Sequence, residues 1–507
     1  MIVEHHDMDA MTDNAFETLL EKGQPFIDKS RFLRWIDGAG ITILICGEGW
    51  GKSTNLSMLR SFLLNHEPHQ SKLFKDLAIS QQGPYGKFQG KYPVLWLDFS
   101  KLGYGSTEKE IKDFLIASVR NLYQNFELEP PKDLASNRLP REVQRLSVTL
   151  RERFGLQPIL IIDDYDKPTR IAHYGGFYQA INSLIEGLLT ACLKNTAYVC
   201  QAFLIGQTRP GDKQVPTNFN NFSLCSIFDR KFQGIFGFSQ EEVKTLFTFH
   251  NLTLSKEDWQ QLALWYGGYY VAGKEYYNPH SITCYLNQLK LGNAEFKPFL
   301  SSESPFFKTF SPAIVAQLGS LLKNNVATIR LRAHVFSNYY LGSEASEAVM
   351  LNRLLYSQIL TPTQATSDFD SDDFIEVKLP NQEITYFIKN LLVMHYQWNE
   401  SCLSKKEVMT FIGQYLTENP KASMDAIIEL GALIHQNKLI EASAMVNALK
   451  VDQTNSNSQV KGDSVMLSPI RILTNSSLGS PIHSNRKSAL MTEQKEQSFF
   501  PSMQQPE

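Results

Sequence analysis

Through the first half of the chain, short apolar runs alternate with longer stretches in which apolar residues recur every third or fourth position. Ile41 to Ile45 is an unbroken apolar or β-branched run, and after a glycine-rich turn Leu56, Leu59, Phe62 and Leu63 share one helical face. Pro93 to Phe99 (PVLWLDF) repeats the strand pattern. Thr107 to Glu110 is a capping box, with Ile111, Leu115, Leu122 and Phe126 as the stripe beyond it. Pro130 and Pro131 interrupt that stripe, and Val143, Leu146, Leu150 and Phe154 define a further helix leading to Pro158. The run PILIIDD, a helix over Tyr178 to Lys194 and a strand-like Ala197 to Ile205 complete the alternation. Continuous apolar strands set between amphipathic helices predict an α/β domain with a parallel sheet, assigned to residues 25–237. Residues 1–24 read as a helical or flexible lead-in, and QPFIDKSRFLRWI places Phe26, Phe32, Leu33 and Ile36 to pack a helix against the first strand.

From Phe238 the pattern turns helical. Ser239 to Glu242 and Ser255 to Asp258 are capping boxes, followed by Val243, Leu246 and Phe247 and by Trp259, Leu262 and Ala263. The aromatic turn WYGGYYVAG and Asn278-Pro279 close this unit, expected to be a helical lid over 238–300. The aromatic cluster reads either as core or as a base-stacking surface. Over 301–400, helices precede a hairpin-like pair, Leu355 to Thr361 and Phe374 to Leu379, and a last helix follows Pro380-Asn381, giving a winged-helix-like α+β region. Residues 401–450 form a helical segment with Val408, Phe411, Ile412 and Leu416. Over 451–507, Asn, Ser, Gln and Pro dominate and apolar periodicity vanishes, which predicts a disordered polar tail.

The candidate chemistry lies in the α/β half. In ITILICGEGWGKST, Ile41 to Thr54, a strand, a Gly-rich turn, Lys-Ser-Thr and a helix follow one another, the layout of a phosphate-binding P-loop. Gly47, Gly49 and Gly51 let backbone N–H groups turn inward around phosphate oxygens, and the helix after them points its positive end the same way. Lys52 would add a point charge at the β- and γ-phosphates and the Ser53 hydroxyl would hold Mg²⁺, with Thr54 closing the nucleotide-binding set. The pattern G-x-x-x-x-G-K-[ST] asks for glycine where this chain has Cys46. PILIIDDYDKP supplies a second element, in which Asp163-Asp164 at the carboxyl end of a strand match a Walker B pair, with a carboxylate in the Mg²⁺ shell. Gly206-Gln207-Thr208-Arg209 stands where an ATPase would place a polar γ-phosphate sensor; Arg209 and Arg230 are the arginine-finger candidates.

These stretches resemble the AAA-ATPase-like proteins of bacteria, which typically join such a P-loop domain to a C-terminal PD-(D/E)XK nuclease-like domain. The matching segments are FIDKSRFLRWI, GKST, YPVLWLDFS, LIIDDYDKP, NNFSLCSIFDRKFQGIFGFSQEEV, LWYGGYYVAGKEYYNPHSI and LLYSQILTPTQ followed by VKLPNQEI, in family order from Phe26 to Leu392. The resemblance implies an ATP-binding core with Lys52 and Ser53 in the phosphate and Mg²⁺ positions, Asp163 on the metal, and Asp164 where the family commonly has Glu. It also implies catalytic positions at Asp164 and Lys52. The family's loop carries arginines before FGKS, whereas this one reads CGEGWGKS, and Asp164 is one methylene shorter than Glu. Both departures bear on affinity and on the placing of an attacking water. Glu376-Val377-Lys378, near Asp372 and Asp373, spells the E-x-K of a nuclease but lies upstream of where that domain would begin. It reads as a solvated strand edge, and the nuclease domain is expected to be missing.

Composition narrows the remaining choices. A chain of 507 residues with 43% hydrophobic and 20% charged content is that of a soluble globular protein of several domains. A net charge of −3 argues against an overall basic nucleic-acid binder and leaves a local basic face open. Six scattered cysteines indicate a reducing compartment, no apolar run nears the ~18 residues that span a bilayer, and the start MIVEHHDMDA is unlike a secretory signal, so the expectation is cytoplasmic with no membrane partner. The leading reading is an ATP- and Mg²⁺-binding, ATP-hydrolysing P-loop protein acting as a nucleotide-driven conformational switch. A non-hydrolysing nucleotide-binding scaffold for protein partners and a nucleic-acid-associated factor stay open, and the sequence names neither a protein partner nor an oligomeric state.

Overall fold

Five parallel strands make the centre of the first half: β1 (Gly40–Ile45), β2 (Val94–Asp98), β3 (Ile159–Asp163), β4 (Gln201–Gly206) and β5 (Phe222–Ser226). Their order is β2-β3-β4-β1-β5, so β4 is inserted between the two strands that carry the sequence motifs. The computed structural model describes residues 16–37, 40–64, 70–81, 85–194, 198–208, 222–271, 273–300, 326–330, 347–363 and 374–398, together with isolated positions over 314–322 and 410–450. The expected tail and most of the expected 401–450 helical segment lie outside these residues, as do the first fifteen positions and Arg209.

Register fixes the working edge of the sheet. Asp98 pairs with Asp163, Asp163 with Ile205, and Ile45 with Gly206, so the carboxyl ends of β1 to β4 come out level. In open α/β sheets that edge is where ligands bind. The strands are held by continuous burial: Ile159, Leu160, Ile161 and Ile162 are all fully enclosed, each such side chain contributing roughly 1.5–3 kcal/mol. Flanking them are α1 (Phe16–Glu21), α2 (Lys52–Leu63), α3 (Glu108–Gln124), α4 (Leu139–Phe154), α5 (Lys167–Gly175) and α6 (Tyr178–Leu193). Local chemistry sets their ends. The Thr107–Glu110 capping box forms in full at α3, and α4 opens with proline in its first turn and stops at Gly155 in the left-handed region. The FIDKSRFLRWI segment differs from expectation: it is a 3₁₀ helix over Ser30–Asp37, entered through Asp28, whose carboxylate accepts from Ser30 N at 2.8 Å and Ala78 N at 2.6 Å.

A helical unit follows, with α7 (Gln240–Phe249), α8 (Lys256–Tyr266), the two-stranded β6 (Tyr269–Val271) and β7 (Lys274–Tyr276), and α9 (Pro279–Lys290). Both expected capping boxes form, and Val243, Leu246, Phe247, Leu262, Tyr266, Ile282 and Tyr285 make a core of their own. Tyr266 and Tyr269 are buried, so the aromatic turn serves the core reading. Lys29 binds this unit to the α/β core, donating to Gly234 O at 2.9 Å and to Glu242 Oε1 at 2.6 Å.

The last described elements are β8 (Val326–Arg330), α10 (Glu347–Tyr356), β9 (Thr361–Pro362), β10 (Phe374–Lys378) and α11 (Gln382–Trp398), with an antiparallel sheet ordered β8-β10-β9. The expected hairpin is only partly present. Leu355 and Tyr356 end α10, because Leu351, Leu354 and Leu355 are buried at helical spacing, and only Thr361–Pro362 pairs with β10. Glu376 is exposed as expected, but β10 is the middle strand of this sheet and not its edge. Asp372 and Asp373 lie outside the described residues. Among the described residues no helix is long and apolar enough to cross a membrane.

Candidate functional site

The loop between β1 and α2 is built as its glycines require. Gly49 and Gly51 take φ of 77° and 81°, a region costly for any residue with a Cβ, and Gly51 is the N-cap of α2. Cys46, in the place of the first motif glycine, continues β1: its N–H donates to Gly206 O at 2.9 Å and its thiol is fully buried, which pushes it up to about 12. Lys52 turns back over this loop, with Nζ 3.3 Å from Cys46 O and 3.1 Å from Asp164 Oδ1. Ser53 is exposed and Thr54 half-buried on the first turn of α2.

The two carboxylates of the second motif are in opposite electrostatic states. Asp163, 1% exposed at the end of β3, has neither oxygen within hydrogen-bond geometry of a donor. Burial, then the neighbouring Asp164, push its carboxyl up to about 7, against the pull of nearby Ser53 and Lys52. Asp164 is buried too, yet Lys52, Arg170 and Lys167 outweigh its burial and hold its carboxyl below the usual range. Lys52 is likewise kept above the usual lysine range despite burial, chiefly by Asp164. Asp164 has φ of 51°, a conformation of order 1–3 kcal/mol for such a residue, fixed by the turn bond from Lys167 N to Asp164 O at 2.9 Å.

Around this pair runs a set of polar groups from separate elements. Asp166 accepts from Thr208 N at 2.9 Å and Thr208 Oγ1 at 2.6 Å, and lies 3.1 Å from Arg170 Nε, so it ties α5 to the end of β4. Arg170 Nη1 reaches Gln207 Oε1 at 3.0 Å and Tyr104 OH at 3.2 Å. Glu48, an exposed residue of the loop, accepts from Gln207 Nε2 at 2.6 Å and Tyr104 OH at 2.9 Å.

Two later parts of the chain seat on the loop. His280 N donates to Gly49 O at 3.1 Å and Asn278 Nδ2 to Glu48 O at 3.4 Å, so the start of α9 abuts it. The turn after α10 brings Gln358, at φ of 57°, against Gly47, whose N–H donates to Gln358 Oε1. A Cβ at Gly47 would overlap Ser357 O, and one at Gly49 would press on His280 and Asn278. Trp50 is fully buried and packs edge-on to Tyr269 at 5.0 Å, anchoring the loop to the helical unit.

The structure thus gathers Gly47, Gly49, Gly51, Lys52, Ser53, Thr54, Asp163 and Asp164 at one edge. Gln207 stands there as expected of a residue ending β4, while Arg230 is exposed on a separate 3₁₀ turn. Sequence reasoning missed the parts of Glu48, Tyr104, Asp166, Arg170 and Gln358. An acid inside the loop and the Asp166–Arg170 spacing of four were the available signals; Tyr104 and Gln358 gave none. The residues fit a Mg²⁺ ion. Its hard oxygen donors would be the orphaned Asp163 carboxylate and the Ser53 hydroxyl, and Mg²⁺ needs only one or two carboxylates when phosphates supply the rest. Among the described residues no group of three or more His, Cys, Asp or Glu forms a separate metal cage.

Comparison with known proteins agrees with this geometry. Residues 11–214 match the family model described as predicted AAA-ATPase, a span that contains β1 to β4 and both motifs. Among solved structures, a DNA replication initiation factor aligns at 13% identity over 89% of this chain and 96% of its own, with a TM-score of 0.26. A signal transduction ATPase with numerous domains, carrying a tetratricopeptide repeat sensor, from Pyrococcus horikoshii aligns at 11% identity over 85% of this chain and 58% of its own, with a TM-score of 0.24. Both superpositions are too loose to carry an argument. No curated protein matches the sequence. Over residues 11–214 the chain is thus similar to the AAA-ATPase-like family.

Proposed function

We propose that this chain binds ATP with Mg²⁺ at the β1–α2 loop and uses the γ-phosphate to switch the contacts that later elements make with that loop. The observation that carries the reading is the meeting of Lys52 with Asp163 and Asp164 at the level ends of β1 and β3, one carboxylate paired and the other without a donor. In this reading the amides of Gly49, Gly51, Lys52 and Ser53 cradle phosphate oxygens, Lys52 leaves Asp164 for the β- and γ-phosphates, and Thr54 extends the cradle. Ser53 and Asp163 would hold Mg²⁺, which would supply neutralisation of the phosphate charge. Asp164, released from Lys52, accepts a hydrogen bond from water and orients it in line, with Gln207 as the sensor beside it. Residues 238–300 act as the lid and 301–400 as a winged-helix-like spacer. If the reading is right, ATP raises the melting temperature of the wild type and not of Lys52→Ala; an equal rise in both overturns it.

One observation favours a second reading, a nucleotide-binding scaffold without turnover. Asp164 is bound to Lys52 and the Gly47 amide to Gln358, an arrangement that withholds both from a substrate. Phosphate release by purified protein, lost in Lys52→Ala, decides for hydrolysis; binding without release decides for the scaffold.

A further inference from the structure

The phosphate loop contains an acid of its own. Glu48 sits between Gly47 and Gly49 in a segment whose lysine and following helix dipole favour anions. Its carboxylate is engaged by donors from separate elements: Tyr104 OH from the loop after β2 at 2.9 Å, and Gln207 Nε2 from the end of β4 at 2.6 Å. Behind them stands Arg170 of α5, 1% exposed, whose Nη1 contacts both Tyr104 and Gln207 and whose Nη2 has no hydrogen-bond partner. Although the residue is exposed, its carboxylate is desolvated by the groups around it; the charge of Arg170, followed by that of Lys52, outweighs that desolvation and holds Glu48 below the usual glutamate range.

Two hydrogen-bond donors, each held in turn by a buried guanidinium, therefore converge on one anion, and that anion belongs to the loop itself. Gln207 directly follows β4, the strand between β1 and β3, so these donors lie at the same carboxyl edge of the sheet as the loop and the aspartate pair. We propose that Glu48 is a resident anion occupying the donors Gln207 and Tyr104, which Arg170 backs, and that a γ-phosphate must displace it, which makes Glu48 the residue that sets the ATP-to-ADP preference. The inference rests on the reading that nucleotide binds this loop. ADP, lacking the third phosphate, leaves the Glu48 contacts in place; ATP exchanges them for its own. The carboxylate therefore lowers ATP affinity relative to ADP and couples γ-phosphate binding to movement of the loop.

The test is calorimetric titration of ATP and of ADP, with Mg²⁺, into the full chain as wild type, Glu48→Gln, Glu48→Ala and Lys52→Ala. Glu48→Gln keeps an acceptor for Tyr104 and Gln207 but loses the charge. A charge-assisted contact replaced by a neutral one shifts the ratio of ATP to ADP affinity about tenfold towards ATP. Glu48→Ala shifts it the same way. Equal factors for the two nucleotides in both variants, or weaker ATP binding alone, overturn the proposal, since a merely structural role for Glu48 moves both together. If Lys52→Ala binds ATP as the wild type does, the nucleotide reading fails and this inference with it. If Lys52→Ala abolishes binding while the Glu48 variants leave the ratio unchanged, only the inference fails.

Discussion

Asp163 is buried beside another carboxylate with no donor on either oxygen, an arrangement that works against folding. An unsatisfied buried polar group costs about 1–3 kcal/mol, more when charged, and burial has already pushed this carboxyl up to about 7. Asp163→Asn removes the charge placed beside Asp164 and therefore raises the melting temperature of the nucleotide-free protein, while abolishing any Mg²⁺-dependent gain in ATP binding. Thermal unfolding with and without Mg²⁺ and ATP checks both halves, and a melting temperature below the wild type in the free state would contradict this account. Lys52, Ser53 and the aspartate pair were legible in the sequence because their chemistry dictates fixed spacing within one turn. The contacts around Glu48 were not, because Tyr104 and Arg170 are brought to it and to Gln207 only by folding.

Elements whose signals are local could be read; those defined by neighbours could not. The boxes at Thr107, Ser239 and Ser255 involve residues three apart, and all three form. Strand β5 is short and its pairing with β1 is set by the sheet, so periodicity does not mark it; Leu355 and Tyr356 read as strand because a short apolar run is ambiguous until packing decides. Helix α11 carries a further test. Glu383 is fully buried and accepts from Ser281 Oγ at 2.6 Å, Phe299 N at 2.7 Å and Leu300 N at 3.2 Å, joining α11 to α9. Burial is the largest influence and raises its carboxyl above the usual value of 4.5. The folded chain thus holds this proton more tightly than the unfolded one, so the stability from Glu383 is complete below pH 4.5 and declines as pH rises through the raised value. The melting temperature of Glu383→Gln minus that of the wild type should grow from about pH 4 to about pH 8. A constant difference would refute it.

At the scale of the molecule, the loop is where three parts of the chain meet. Trp50 packs on Tyr269, His280 holds Gly49 O, and Gln358 takes the Gly47 amide, so a change in the loop reaches both later units. Gln358→Ala removes one hydrogen bond that favours the nucleotide-free loop, and ATP affinity should rise about fivefold, with faster hydrogen exchange over 347–363. Unchanged affinity with unchanged exchange would show that Gln358 is only a packing residue. The parallel order with β4 between β1 and β3 was foreseen as a class but not in detail, because crossovers leave no mark in a linear pattern. The central claim is that Lys52 and Asp163 hold a nucleotide with its metal. Its most direct measurement is titration of ATP into the wild type and Lys52→Ala, with and without Mg²⁺. Saturable binding to the wild type, strengthened by Mg²⁺ and lost in Lys52→Ala, is the predicted result; binding indifferent to both the lysine and the metal would contradict it.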